Sequence, residues 1–277
     1  PFTGEEEKDG DSHFSMPWFH HTNVARYLDF NNDQTTEIVF FNKGKWLVSG
    51  QPDISFGEAG DIAAPADYDG DGKVEMAVYR PREGKFYTQA GKVVSLGNGD
   101  DIPVCGDWDG DGFADLAVYS PSRLTWYIDG QDSIKFGVKN AIPVPADYDG
   151  DGLLDVGIFR TSNSMWQTAL GNIPLQLPHT PGDIPVPADY DGDGKAEMAL
   201  YRPSTNEWLI DFNPSVKFGQ EGDFPVPGNY LKDGKTHLAV YRNGKIILQN
   251  GQTIEAGQGK LKDLINIKQG IKKFIKE

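Results

Sequence analysis

One stretch of the sequence recurs six times at an almost constant interval, and this recurrence constrains the fold more than any other feature. The clearest copy reads IPVPADYDGDGKAEMALY at Ile184–Tyr201. The first loop residue of the six copies is Asp29, Asp67, Asp107, Asp147, Asp189 and Asn229. Successive copies are therefore 38, 40, 40, 42 and 40 residues apart. Periods of this length are typical of repeat architectures such as propellers.

Each copy contains four short segments with strand character. The first precedes the acidic loop, and the second follows it and is apolar on both faces, as in Met76–Tyr79. The fourth ends in Phe-Gly or a similar pair. The third segment carries an aromatic residue: Trp46, Phe86, Trp126, Trp166 or Trp208. A strand that is apolar on both faces belongs between packed sheets, so four-stranded units of this length predict the blades of an all-β propeller.

We interpret residues 1–277 as a single β-propeller domain. Its repeats span about 22–60, 61–100, 101–140, 141–182, 183–222 and 223–258. The terminal segments 1–21 and 259–277 leave the number of blades open. We favour seven four-stranded blades, the seventh a composite of both termini that closes the ring. The alternatives are a ring of six blades and, for residues 261–275, a short basic amphipathic helix.

The acidic loop follows the pattern D-x-D-x-D-G-x-x-(D/E). Alternating acids in a tight loop direct their carboxylates toward one centre, and the glycines allow the backbone to wrap around an ion. Oxygen ligands at this density favour Ca²⁺ over zinc, copper or magnesium. An EF-hand is excluded because the last acid stands at position nine rather than twelve and the flanking segments are strands. Carboxylates packed this closely repel one another unless a cation offsets them.

Composition excludes several classes of partner. The formal net charge of −15 argues against nucleic acid and against anionic membranes. Five Ca²⁺ ions would reduce this charge to about −5. No apolar run is long enough for a transmembrane helix, so membrane insertion is not expected. The one cysteine, Cys105, cannot form an internal disulfide, and its position in a strand predicts a small buried hydrophobe.

With these loops and strands, residues 22–258 resemble the FG-GAP/VCBS repeats, which are similar to the calcium-binding propeller of integrin α chains. The resemblance implies that positions one, three, five and nine bind calcium by side chains and position seven by its carbonyl. It implies five sites, formed by Asp29, Asn31, Asp33, Thr35 and Glu37; Asp67, Asp69, Asp71, Lys73 and Glu75; Asp107, Asp109, Asp111, Phe113 and Asp115; Asp147, Asp149, Asp151, Leu153 and Asp155; and Asp189, Asp191, Asp193, Lys195 and Glu197.

Two copies depart from that pattern. The first has an asparagine at position three and lacks the loop glycines, although the amide still offers a carbonyl oxygen. The sixth has Asn229, Leu231, Asp233 and His237 at the four side-chain positions. We expect no calcium in the sixth loop, and we expect calcium in the other five to be structural.

Arginine recurs after the second strand in four copies, and aspartate recurs before the first strand in four. Ser120 replaces the arginine of the third copy, and Ala141 replaces the aspartate of the fourth. Pairing across adjacent copies, as in Arg80 with Asp101, would place these two replacements opposite each other. We therefore hypothesise salt bridges between neighbouring blades. The alternative is a ligand-binding ring of arginines.

The resemblance implies a non-catalytic recognition or adhesion module, secreted or displayed on a cell surface, that binds a protein or a glycan. The ligand would contact the loops opposite the calcium hairpins: 80–85, 97–101, 120–125, 137–141, 160–165, 178–183 and 202–207. A lectin is the first alternative, although we expect the third-strand aromatics to pack in the core. The second is a secreted polysaccharide lyase or hydrolase, for which the only candidate cluster is His13, Trp18, His20 and His21. No catalytic motif is present in the sequence.

Overall fold

The structure is a computed structural model that describes residues 28–163, 165–170, 180–211, 213–256, 259 and 264. The regular elements of these residues are short β-strands, numbered in chain order. Strands β1 to β11 are Val39–Asn42, Lys45–Val48, Ile54–Ser55, Ile62–Ala63, Ala77–Arg80, Lys85–Thr88, Val93–Ser95, Ile102–Pro103, Ala117–Ser120, Thr125–Ile128 and Ile134–Lys135. Strands β12 to β22 are Ala141–Pro143, Gly157–Arg160, Met165–Thr168, Ile184–Pro185, Ala199–Arg202, Glu207–Ile210, Val216–Lys217, Phe224–Pro225, Ala239–Arg242, Lys245–Leu248 and Thr253–Glu255.

Within the described ranges the strands form six antiparallel sheets, one for each copy of the repeat. Four sheets have four strands in the order of the chain: β4 to β7, β8 to β11, β15 to β18 and β19 to β22. The first sheet contains β1 to β3, and the fourth contains β12 to β14. The fourth strand expected in the fourth sheet falls on residues 171–179, which lie outside the described part. These sheets are the blades of an all-β propeller.

The second strand of each blade is buried on both faces, as its composition predicts. In β5, Ala77, Val78 and Tyr79 are all fully buried. The third-strand aromatics are buried too, which confirms that they pack in the core. In three blades the indole Nε1 of the third-strand tryptophan donates to the carbonyl of the phenylalanine in the Phe-Gly pair; these bonds join Trp46 to Phe56, Trp126 to Phe136 and Trp208 to Phe218.

One backbone hydrogen bond repeats at every junction between blades. The amide of the eighth loop residue donates to the carbonyl of the first loop residue in the preceding copy, at 2.7 or 2.8 Å. The donor–acceptor pairs are Val74–Asp29, Ala114–Asp67, Leu154–Asp107, Ala196–Asp147, Thr236–Asp189 and Thr36–Asn229. Because the last pair joins the sixth copy to the first, six blades close into a ring.

The ring of six confirms the alternative rather than the favoured number of seven. Leu264 forms an antiparallel bridge with Phe40 of β1. In the second blade, Val78 stands at the same place in the repeat, and its partner is Ala63 of the innermost strand. Leu264 therefore occupies the innermost position of the first blade, where it is fully buried. The other residues proposed for a composite blade or a C-terminal helix, except Gly259, lie outside the described part.

The antiparallel topology separates the loops onto two faces. In the second to sixth copies the loop joins the first strand of the blade to the second, and the connection from the third strand to the fourth lies at the same end. The connections from the second strand to the third, and from one blade to the next, lie at the opposite end. The seven loops that we expect to contact a ligand are all of the latter kind, although residues 164, 178 and 179 of two of these loops fall outside the described ranges. No helix suited to spanning a bilayer occurs in the described ranges.

Candidate metal centre

In the second to sixth copies the loop is anchored at its base by a β-bridge and an aromatic side chain. In the second copy, Ala66 at the residue before the loop bridges Glu75 at position nine. The hydroxyl of Tyr68, at position two, donates to the carbonyl of Ala64 at 2.6 Å. Position two makes the equivalent bond in four other copies, from Trp108, Tyr148, Tyr190 and Tyr230. Sequence reasoning missed this anchor, although its signal is an aromatic residue after the first loop position in every copy.

The loop backbone holds the carboxylates by their own hydrogen bonds. In the second copy, Asp67 Oδ1 accepts from Gly70 N at 2.7 Å, and Asp67 Oδ2 accepts from Gly72 N at 2.9 Å. Glu75 Oε2 accepts from Tyr68 N at 2.7 Å. Its second oxygen accepts no hydrogen bond from the described residues, so it is available to a cation. The third, fourth and fifth copies repeat the position-one and position-nine contacts.

Five acidic clusters among the described residues could hold a metal ion. In each of them one carboxylate oxygen per residue lies within 4.8 Å of those of the other members. The clusters are Asp29, Asp33 and Glu37; Asp67, Asp69, Asp71 and Glu75; Asp107, Asp109 and Asp115; Asp147, Asp149 and Asp155; and Asp189, Asp191, Asp193 and Glu197. Asp111 and Asp151, at position five, do not come within that distance. The arrangement brings the other predicted carboxylates together in all five loops.

The donor set fits Ca²⁺ in two further respects. All of the side-chain ligands offer oxygen, which a hard cation prefers. The backbone carbonyl oxygens at position seven, which are predicted calcium ligands, accept no hydrogen bond within the described ranges. They belong to Thr35, Lys73, Phe113, Leu153 and Lys195. A cation at the loop centre would supply a partner for these carbonyls and a counter-charge for the acids.

The electrostatics of the loops show the cost of gathering these acids without a cation. Burial raises the pKa of Glu37 and of Glu197 to about 7, and neighbouring aspartates add to the shift. The same causes raise the pKa of Asp115 and of Asp155 to about 6. The position-nine acid of these four loops is therefore the group most sensitive to protons.

The first loop reaches the same backbone conformation without glycines. Asn32 and Gln34 have φ values of 58° and 68°, where the second loop has Gly70 and Gly72. This left-handed region is unfavourable for residues with a side chain. In addition, Asn31 Nδ2 donates to Glu37 Oε1 at 2.9 Å, so the Asn31 amide would have to turn over to present its oxygen to an ion. Both features predict weaker binding at the first site.

The sixth loop differs in chemistry and not only in sequence. The Asn229 amide nitrogen donates across the junction to the Gln34 carbonyl at 3.0 Å. His237 Nε2 lies 3.1 Å from Asp233 Oδ2. A histidine and an aspartate thus stand where the other loops have carboxylates at positions five and nine. With one carboxylate among its four side-chain positions, this loop lacks the charge of the other five. That calcium does not bind there stays a prediction.

The hypothesis of salt bridges between adjacent blades is wrong. Arginine and aspartate pair within one blade instead, because residues at these positions are neighbours on the first two strands. The pairs are Arg80–Asp61, Arg202–Asp183 and Arg242–Asp223. In the third blade Arg123 replaces the missing arginine and donates to Asp101 at 2.7 Å. In the fourth blade Arg160 lies opposite Ala141 and has no carboxylate partner among the described residues.

Comparison with known proteins agrees with the repeat. Residues 59–96 match the family model described as FG-GAP repeat. The match covers one blade with its acidic loop, and the third to sixth copies share its strand register and the bridge at the base of the loop. No curated protein matches the chain.

The calcium-free protein should become more stable as the pH falls from about 8 to about 5. In the folded state Glu37, Asp115, Asp155 and Glu197 have pKa values of about 6 to 7, against ordinary values of 3.8 and 4.5. A raised pKa stabilises the fold below the ordinary value, and this stabilisation is lost as the pH rises through the folded-state value. Melting temperatures of the calcium-free protein at several pH values would show the slope.

Calcium should reverse this slope, because protons and the ion compete for the same carboxylates. The control is Glu197→Gln, which keeps the shape of the side chain and should flatten the slope of the calcium-free protein. A melting temperature that rises with pH in the absence of calcium would contradict the prediction.

Proposed function

We propose that this propeller is a calcium-stabilised, non-catalytic recognition module that acts outside the cell. The observation that carries the proposal is the separation of its two faces. The acidic loops, which are anchored at their bases and linked from blade to blade, occupy one face. The opposite face carries variable connections on a rigid ring, which is the usual arrangement for binding surfaces.

The extracellular setting rests on two supports. FG-GAP repeats are typical of extracellular proteins. Weak oxygen-ligand sites also suit the high calcium concentration of that environment. Calcium would join the two inner strands of the second to fifth blades at their loops and would also bind in the first loop, so the ion would stabilise the ring rather than take part in chemistry.

We favour a protein ligand over a glycan because the third-strand aromatics are buried and offer no stacking platform. A lectin remains the alternative that binds through the same face. The candidate cluster for an enzyme, His13, Trp18, His20 and His21, lies outside the described residues.

The test blocks one face at a time. The calcium-loaded protein is first screened against immobilised extracellular-matrix proteins and a glycan array. Single cysteines are then placed at Ser122 or Thr205 on the proposed binding face, and at Lys92 on the calcium face as the matched control; all three positions are exposed. Each is coupled to a bulky polyethylene glycol maleimide. Cys105 should not react, because it is buried and burial raises its pKa to about 11.

Coupling at Ser122→Cys or Thr205→Cys is expected to reduce binding at least tenfold, while coupling at Lys92→Cys leaves it unchanged. Binding of a glycan but of no protein would favour the lectin. Loss of binding only with the Lys92→Cys conjugate would overturn the assignment of the faces.

A further inference from the structure

The turn that enters the second, third, fifth and sixth blades contains an aspartate that accepts several hydrogen bonds. In the sixth copy, Asp223 accepts from Gln220 N at 2.8 Å and from both Nε and Nη2 of Arg242 at 2.6 Å. A backbone amide and a guanidinium thus converge on one carboxylate. The same contacts join Asp61 to Glu58 and Arg80, and Asp183 to Thr180 and Arg202.

The fourth copy keeps this turn but lacks the carboxylate. Ala141 N donates to Val138 O at 3.2 Å, as the aspartate amide does in the other copies, and Ala141 lies opposite Arg160 in the sheet. Arg160 Nε donates to Gln167 Oε1 at 2.8 Å. Within the described ranges, the two Nη groups of Arg160 and the amide N–H of Val138 have no hydrogen-bond acceptor. The donors are in place and their acceptor is missing.

A third donor without an acceptor faces the same position. The hydroxyl of Tyr119 is buried, has no hydrogen-bond partner among the described residues, and lies against Gly137 at the start of this turn. In the sixth copy, a side-chain carbon at the corresponding Gly219 would stand 2.9 Å from the hydroxyl of Tyr201 and 3.3 Å from Asp223 Oδ2. The Tyr119 hydroxyl therefore faces the position that corresponds to the Asp223 carboxylate at the turn into the sixth blade.

We propose that this position, between the third and fourth blades, binds a carboxylate of a protein ligand, the side chain of an aspartate or glutamate. The Val138 amide and the Arg160 guanidinium would donate to it, as their counterparts do to the internal aspartates. The buried Tyr119 hydroxyl would supply a third donor, whereas its counterpart Tyr201 donates to Asn206 Oδ1. Arg160 and Val138 are partly exposed, so a group from outside can reach them. The inference rests on the proposed function, since the turn lies on the face assigned to the ligand.

The surroundings favour a peptide over an acidic sugar. Exposed Lys139, Asn140 and Asn163 border the position, which supplies hydrogen-bonding groups and a second positive charge. In a chain of net charge −15, such a basic position is where an acidic segment can approach. The most exposed aromatic side chain of the described residues is Phe113, in an acidic loop on the other face. Phe136, beside the position, is only partly exposed and packs against the core, so it offers a sugar little stacking surface.

The test follows Arg Nε–Hε signals by NMR while acetyl-Gly-Asp-Gly-amide is added to the full chain with calcium. A saturable shift of the Arg160 signal is expected, and acetyl-Gly-Asn-Gly-amide should cause none. Tyr119→Phe should weaken binding about tenfold, since a hydrogen bond to a charged group is lost. Ala141→Asp should abolish binding and raise the melting temperature by a few degrees, because it restores the internal carboxylate.

The variants have matched controls. Phenylalanine already occupies the position of Tyr119 in two blades, as Phe41 and Phe159, so Tyr119→Phe is expected to fold. Tyr79→Phe should not affect the peptide, because the aspartate beside that tyrosine, Asp101, is present. Equal shifts with the two peptides, binding that survives Ala141→Asp, or tighter binding of glucuronate than of the peptide would each overturn the proposal. The titration uses no natural ligand, so its failure is distinct from a failure of the screen for ligands.

Discussion

Calcium is expected to raise the melting temperature of the metal-free protein by about 10 °C or more. A ligand that binds only the folded state at 100 times its dissociation constant adds about 2.7 kcal/mol per site. A change of 1 kcal/mol shifts the melting temperature of a domain somewhat smaller than this one by about 2–4 °C. Filling two or three of the five acidic clusters would therefore reach the expected rise, and differential scanning calorimetry of the protein with and without millimolar calcium would measure it.

Stoichiometry identifies the loops responsible. Isothermal titration calorimetry should count about five ions. The first loop should bind most weakly, because it lacks glycines and because Asn31 directs its amide nitrogen rather than its oxygen at Glu37. Asp189→Ala should remove one ion from the count. Asp233→Ala, in the sixth loop, is the matched control and should remove none. An unchanged melting temperature, or an equal effect of magnesium, would contradict the assignment of these loops to calcium.

Leu264→Ala should lower the free energy of unfolding by about 2–5 kcal/mol, the usual cost of truncating a fully buried leucine. Leu264 is fully buried and belongs to the same core cluster as Phe40, its partner across the first blade. The matched control is Leu170→Ala, since Leu170 is 48 % exposed. That change should stay within about 0.5 kcal/mol, and urea denaturation would measure both.

A double-mutant cycle shows where Leu264 acts. Leu264→Ala and Phe40→Ala should couple by about 0.5–3 kcal/mol, as contacting residues do. Leu264→Ala and Val118→Ala should be additive, because Val118 belongs to a different core cluster. A loss below about 1 kcal/mol for Leu264→Ala, or additivity with Phe40→Ala, would contradict closure of the ring through the first blade.

Much of the molecule follows from local sequence. The strands, the buried second strand and the acidic loops depend on residue types that are close together in the sequence. Because the same pattern recurs in six tandem copies, each copy supports the same prediction. The same holds for the candidate ligands, because alternating acids between two paired strands converge whatever the rest of the chain does. Asp111 and Asp151 show the limit, since their distances to the other carboxylates depend on side-chain placement that a pattern does not specify.

Tertiary structure decided the closure and the pairing of charges. The sequence by itself determined the repeat, the strands and the loops, but the number of blades depends on which residues meet after the chain has travelled the whole ring. There Thr36 bonds to Asn229, and Leu264 pairs with Phe40. The arginines pair with aspartates of the same blade rather than with aspartates of the next blade. The physical reason is that contacts between residues distant in the chain are set by how whole sheets pack, whereas the repeat reports only what each sheet requires for itself.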